Sequence, residues 1–473
     1  MAYLPNILFV ILLAFGIGYF ARNVKRLRRN IGLGRDVDVS DHRSQRWKNM
    51  AKIALGQTKM VVRPIAGALH IIVYLGFIII NIEVLEIIID GIFGTHRIFA
   101  PLGPVYDVLI ASFEILALLV IVSVTLFWIR RNAIRVKRFL QRELKGWPKT
   151  DANWILYIEA ILMLLFLTMN AADYQLQQMD AAYYTKAGAF PVSQFIAPLF
   201  EGMSIANLIV VERTAWWLHI AGILFFLNYL YYSKHLHILL AFPNTYFGRL
   251  TPQGQFRNLD AVTREVKLML DPSADPFAAP AAGDGGAGGD GGAAGDGGAA
   301  GESGEEREAA GEIGEEAEPE KFGASDVMDL SWVQLLSAYT CTECGRCTDE
   351  CPASQTGKKL SPRKIMMDTR DRLEEVGKNI EANKGKFVED GKQLLDDYIL
   401  REELWACTTC NACVQACPVS IDPLSIIMDM RQFLVMEQSA APSGLNNMMG
   451  NMENNGAPWP FNQMDRLNWA EGK

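Results

Sequence analysis

Five long apolar runs fill the first half of the chain and leave it few folds to choose from. They lie at about 4–20, 60–89 (opening near Met60 or Pro64), 105–129, 154–169 and 214–232. A bilayer offers no partner to an open backbone, so a run of about 20 apolar residues must close as a helix. The chain opens Met-Ala-Tyr-Leu-Pro, with no basic stretch and no small-residue cleavage site before the first run. That run is expected to be a retained membrane helix, not a cleaved signal.

The loops carry the orientation. Twelve Lys or Arg residues lie in 21–63 and eight in 130–150. The loop 91–103 has only Arg97, and 170–213 only Lys186 and Arg213. The positive-inside rule puts the N-terminus outside and everything after the fifth run in the cytoplasm. An amphipathic surface helix is expected in 170–213. Glu83, Glu86, Glu114 and Glu159 fall inside apolar runs, where a carboxylate is either functional or facing another helix. The net charge of −8 averages a basic membrane half with an acidic remainder and lends no support to nucleic-acid binding.

All eight cysteines lie in two runs: Cys341, Cys344, Cys347 and Cys351-Pro352, then Cys407, Cys410, Cys413 and Cys417-Pro418. Each reads C-x2-C-x2-C-x3-C-P, the spacing of a protein with two [4Fe–4S] clusters, in which the fourth cysteine of each run serves the other cluster. The expected sets are Cys341, Cys344, Cys347 and Cys417, and Cys407, Cys410, Cys413 and Cys351. Zinc sites pair C-x2-C units instead and do not call for this run. No cysteine is left for a disulfide, which fits a reducing compartment. Helices are expected at 329–339, 361–377, 394–404 and 423–436. Between about 271 and 320 the chain is almost wholly Gly, Ala, Asp and Glu. With nothing to bury, this stretch is expected to be a disordered tether that leaves the cysteine domain free to move and dock.

Six histidines are present. His42 and His96 are expected in solvated loops. His70 belongs to the second run, and His219, His235 and His237 to the fifth or its end. A buried neutral imidazole is a good axial ligand for haem iron, and facing histidines in a helical bundle are a common way to hold one. His219 and His237 are 18 residues apart, five turns of a continuous helix, or about 27 Å on one face.

Arg63-Pro64-Ile-Ala-Gly67-Ala-Leu-His70, Trp216-Trp217-Leu-His219 and Ser233-Lys-His235-Leu-His237 resemble the five-helix cytochrome b family, which includes the nitrate reductase gamma subunit. That resemblance implies haem b between helices two and five, with His70 and His219 as axial ligands. Met60 stands where the family has a further histidine. Either Met60 and His237 hold a second haem, or that haem is missing, or His235 enters another pairing. Tyr339-Thr-Cys341, Thr356-Gly-Lys-Lys-Leu-Ser-Pro362 and Leu404-Trp-Ala-Cys407 resemble the ferredoxin-like part of heterodisulfide reductase and related iron–sulfur oxidoreductases. Members of that family carry catalytic Cys-Cys-Gly motifs; none occurs here, which implies a separate CCG-domain subunit docking on the tail from about Gly444.

The expected fold is an all-α membrane bundle of five transmembrane helices plus an α-helical ferredoxin-like domain. The divisions are 1–245 (membrane), 246–320 (connector and tether), 321–440 (two clusters) and 441–473 (docking tail). The resemblance implies an electron-transfer subunit in the cell membrane, between the quinone pool, haem b and two cytoplasmic clusters. A membrane-anchored iron–sulfur sensor or scaffold without haem is the alternative. No nucleophile or acid–base pair is apparent.

Overall fold

The computed structural model describes residues 3–252, 254–256, 260–271 and 321–472. Five of its helices are long and apolar enough to cross a membrane. They are α1 (Leu4–Ile31), α2 (Pro64–Phe93), α3 (Pro104–Asn132), α4 (Trp147–Gln178) and α5 (Ile205–Tyr229). Proline opens α1 through α4 within the first two positions, where its missing N–H costs nothing. Gly94 closes α2 in the left-handed region, at φ 72°. Phe9, Phe113, Phe166 and Ile220 meet in the bundle core, while Ile11, Phe15, Leu85 and Leu164 stay exposed on its outside. An apolar exterior of this kind suits lipid. Gly91 admits the ring of Phe9 so closely that a Cβ there would stand 2.6 Å from it.

The fourth helix is much longer than its apolar run. Asp151, Asn170, Asp173 and Gln177 extend it at both ends and are buried. Each has polar company: Tyr229 donates to Asp151, Arg97 to Asp173 and Asn170, and Gln177 to Asp173. The expected amphipathic helix in the following loop does not form. That segment has only two short 3-10 turns, Ser193–Phe195 and Ala197–Phe200. Its backbone is taken up by a buried side chain, since Glu114 accepts from the N–H of both Val192 and Ser193.

The fifth helix is shorter than the histidine spacing requires. After Tyr229 the chain tightens into two 3-10 turns about an extended Ser233, and α6 (His237–Phe247) then starts afresh. His219 and His237 therefore do not share a helix, and the five-turn separation does not apply. Met60 is likewise off α2, in the turn that precedes Pro64.

The cysteine domain is built on α7 (Trp332–Thr340), α8 (Pro362–Ala382) and α9 (Pro423–Met436). The expected helix at 394–404 is two short pieces, Leu394–Asp397 and Arg401–Trp405, the first of them distorted at Asp396, whose φ is 70°. Arg372 is wholly buried and holds Asp326, Asp390 and the Lys392 carbonyl together. The tether expected at 271–320 lies, apart from residue 271, outside the described residues.

The cysteine domain is seated on one end of the bundle, not held at arm's length. Arg363, fully buried, donates to the Arg138 carbonyl, Gln141 and Glu143 in the loop between α3 and α4. Arg63 reaches Asp349 and Glu350, Asn30 donates to Tyr339, and Ser337 donates to Asn244. The expectation of a freely moving domain gives way to a docked one, because so many of these partners are buried charges or amides.

Breaking a buried ion pair by removing one partner costs about 3–5 kcal/mol. Arg363→Met should therefore lower the melting temperature of the full chain and expose the cysteine domain to proteolysis. Burial pushes the Glu143 carboxyl up, but Ser361 and the Arg363 guanidinium outweigh it and hold it below the usual range. The latch thus stabilises the fold above the ordinary glutamate range and loses that contribution as pH falls from that range through the lowered value of the folded state. Melting curves against pH should show this loss, and Glu143→Gln should flatten it.

Candidate functional site

Both cysteine runs leave a left-handed residue just before their short helical turn: Gly345 at φ 73° and Asn411 at φ 60°. This reversal curls the first three cysteines of each run about a common centre. The proline after the fourth turns the chain away. All eight thiols are free. Cys341, Cys344, Cys347 and Cys417 line one cavity, so the last cysteine of the second run faces the first three of the first. Cys351 acts electrostatically on Cys407 and Cys413, the mirror arrangement. Burial pushes the Cys341 thiol up to about 12 and the Cys417 thiol up to about 11.

Among the described residues no three His, Cys, Asp or Glu side chains converge tightly enough to hold a single metal ion. Thiols set around a cavity instead suit a group with several irons, each taking one thiolate. The donor set fits [4Fe–4S] chemistry, and a bound cluster would supply one-electron transfer.

The first run faces the membrane bundle. Lys234, just past α5, donates to Glu343 at 2.6 Å and to the Pro148 carbonyl at 2.6 Å. Arg370 holds the other oxygen of Glu343 at 2.9 Å. Arg346 donates to the carbonyls of Lys59 and Met60 and to the Met60 sulfur at 3.1 Å. Met60, expected as an iron ligand, is thus engaged by an arginine. The second run points outward, with Cys410 exposed.

Three of the six histidines gather at this junction. The rings of His235 and His237 lie 5.3 Å apart, and the charges of His237 and Arg346 act on His70. The break after α5 folds His235 and His237 back to meet α2. His237 donates from Nδ1 to the Lys234 carbonyl at 3.1 Å. His219 stands apart, deeper in the bundle against Phe166. Its Nδ1 donates to the Leu162 carbonyl at 3.0 Å, and its Nε2 is buried without a partner. A ring with one nitrogen anchored on a carbonyl and the other unengaged is the arrangement of a metal-ligating histidine. His70 and His235 each bury an unpartnered Nδ1.

Sequence reasoning missed two groups. His42 is exposed as expected, but the side chain of His96 is 7% exposed, 3.4 Å from Asp173 and packed on Tyr184. Arg97 is buried in the same cluster. Single charged residues in an otherwise apolar loop were the signal. The latch lysine, Lys234, was visible only as a neighbour of histidines.

The family model of a 4Fe-4S dicluster domain matches residues 336–421. The chain is 27% identical to the "Probable iron-sulfur-binding oxidoreductase FadF" of Bacillus subtilis, over 98% of this chain and 60% of that protein. It is 24% identical to the "EtfAB:quinone oxidoreductase" of Syntrophomonas wolfei, over 92% of this chain and 55% of that one. A dihydromethanophenazine-linked heterodisulfide reductase polypeptide of Methanosarcina mazei is 30% identical over 31% of this chain and 36% of its own length. The chain thus spans little more than half of the first two relatives. No solved structure matches it. The chain is related to iron–sulfur oxidoreductases and to heterodisulfide reductase subunits, and it carries a 4Fe-4S domain.

Cys417→Ser should remove one cluster and leave the other, although it lies in the second run. Cys351→Ser should do the reverse. Iron and sulfide content near half of wild type, with a different electron paramagnetic resonance signal surviving in each variant, is the expected result. A loss confined to the run that carries the substitution would reject the crossed sets.

Proposed function

We propose that this chain is a membrane-bound electron-transfer subunit. It exchanges electrons between a membrane quinone and two [4Fe–4S] clusters, which serve a separate catalytic subunit. One observation carries the reading: the first cysteine set is clamped, through Lys234 and Arg346, against the end of the bundle where three histidines meet. Redox groups held on the two sides of such a clamp would sit close together without a mobile carrier. The similarity to a protein called EtfAB:quinone oxidoreductase supports quinone as the membrane partner.

Haem b is proposed as the group inside the bundle. His219, with its anchored Nδ1 and unengaged Nε2, fits as one axial ligand, and His70 as the other. The nearness of His70 to His237 offers the alternative pairing, with the haem at the junction. The basic loops support a cytoplasmic clamp and clusters, with the other end of the bundle outside. The apolar side chains of the tail, among them Trp459, Phe461, Met464 and Trp469, are exposed and offer a surface for a CCG-domain subunit.

A reduced-minus-oxidised visible spectrum of the purified full chain should show b-type bands. His219→Ala should abolish them and His237→Ala should keep them. The converse would transfer the ligand role to the junction histidines. Absence of the bands from wild type would leave the anchored iron–sulfur scaffold as the reading.

A further inference from the structure

The end of the bundle away from the cysteine domain holds a buried polar network that no redox ligand uses. Glu83, Glu86 and Asp90 follow one another on α2 at spacings of three and four, so they lie on one face and climb about 10 Å towards its Phe93 end. Glu83 and Glu86 are each 3% exposed, whereas Asp90 is only half-buried. Glu86 is fully engaged: the Phe99 N–H donates to one oxygen and the Tyr106 hydroxyl to the other, both at 2.8 Å. Asp90 accepts from the N–H of Arg97 at 2.8 Å. Arg97 donates in turn to Tyr106 at 2.9 Å and to Asp173 at 2.6 Å. Glu83 differs from the rest, since its Oε2 is buried with no hydrogen-bond partner. The charges of Arg97, Glu86, Asp173 and Asp90 all bear on it.

An unmade bond to a buried carboxylate is costly, and this oxygen sets Glu83 apart from the other carboxylates of the network. Chains of carboxylates within membrane helices mark proton pathways. We infer that Glu83 is the inner station of a proton relay, running through Glu86 to Asp90, that serves a quinone at this end of the bundle. The inference rests on the quinone reading above. Arg97 is a positioning residue, holding the carboxylates through Tyr106, Asp173 and its own backbone.

The balance is that of quinol oxidation. Two O–H bonds break, quinol becomes quinone, and two electrons leave singly for one-electron acceptors of the iron–sulfur class on the cysteine domain. The two protons pass in succession to Glu83 and out by way of Asp90 to water. Quinone reduction runs the same steps backwards. The clusters lie at the Pro64 end of α2 and the relay at its Phe93 end, and 30 residues of helix span about 45 Å. Electrons and protons therefore leave at opposite ends of the bundle.

The test uses the full chain in nanodiscs with duroquinol as reductant. Glu83→Gln should slow duroquinol-driven cluster reduction by about 100-fold, the range of a lost proton-transfer group. Reduction by dithionite and iron content should not change. The redox difference infrared spectrum should lose a carboxyl C=O band that shifts in D2O in the wild type. A wild-type duroquinol rate with the band intact overturns the relay while leaving the quinone reading standing. A wild-type chain that takes no electrons from duroquinol overturns both. Should Glu83→Gln lose its iron, Glu83→Asp takes its place: a slowed rate with a shifted band supports the relay, and an unchanged rate and band reject it.

Discussion

Lys234 is a buried ammonium whose carboxylate partners come from both halves of the chain. Asp151 reaches it from α4 at 3.8 Å and Glu343 from the first cysteine run at 2.6 Å. Burial pulls the ammonium below its ordinary value, against the pull of both carboxylates. An ion this enclosed is tolerated only when its partners are in place, so the membrane bundle and the cysteine domain complete each other. Glu343 also binds Arg370, which ties the same loop back to α8. With Arg363 and Arg346, this cation sets the position of the first four-thiol cavity relative to the helices.

The break after Tyr229 is the second determinant. A continuous helix would have carried His237 some 27 Å from His219 and out of the bundle. The 3-10 turns instead bring His235 and His237 beside His70, and the same turns place Lys234 under Glu343. Helix termination, histidine clustering and domain docking are three consequences of one local change in backbone geometry. Ser233 helps to set it, with its hydroxyl accepting from the His235 N–H at 3.1 Å.

Polarity is divided along the bundle. Near the cysteine domain the buried charges include latches between domains, such as Lys234 to Glu343 and Arg363 to Glu143. At the far end they belong to short loops and to α2 through α4, and one carboxylate oxygen remains unmatched. Buried polar groups in a membrane bundle are expensive, so two separate concentrations of them argue for two separate tasks.

The helical bundle was legible in the sequence because apolar runs of this length have one solution in lipid, and each of the five helices covers the greater part of its expected run. The eight cysteines were legible because their spacing is itself a ligand geometry, and the cavity lined by Cys341, Cys344, Cys347 and Cys417 matches the crossed set. The full length of α4, the burial of His96, the engagement of Met60 by Arg346 and the end of α5 were not. Each depends on a partner distant in sequence: Asp173 for His96, Arg346 for Met60, and Asp151 and Glu343 for the turn at Lys234. Hydropathy and spacing are local quantities, and they decided which segments are helices and which residues offer thiolates or imidazoles. The pairing of buried charges is non-local, and only the tertiary structure decided which of those residues meet.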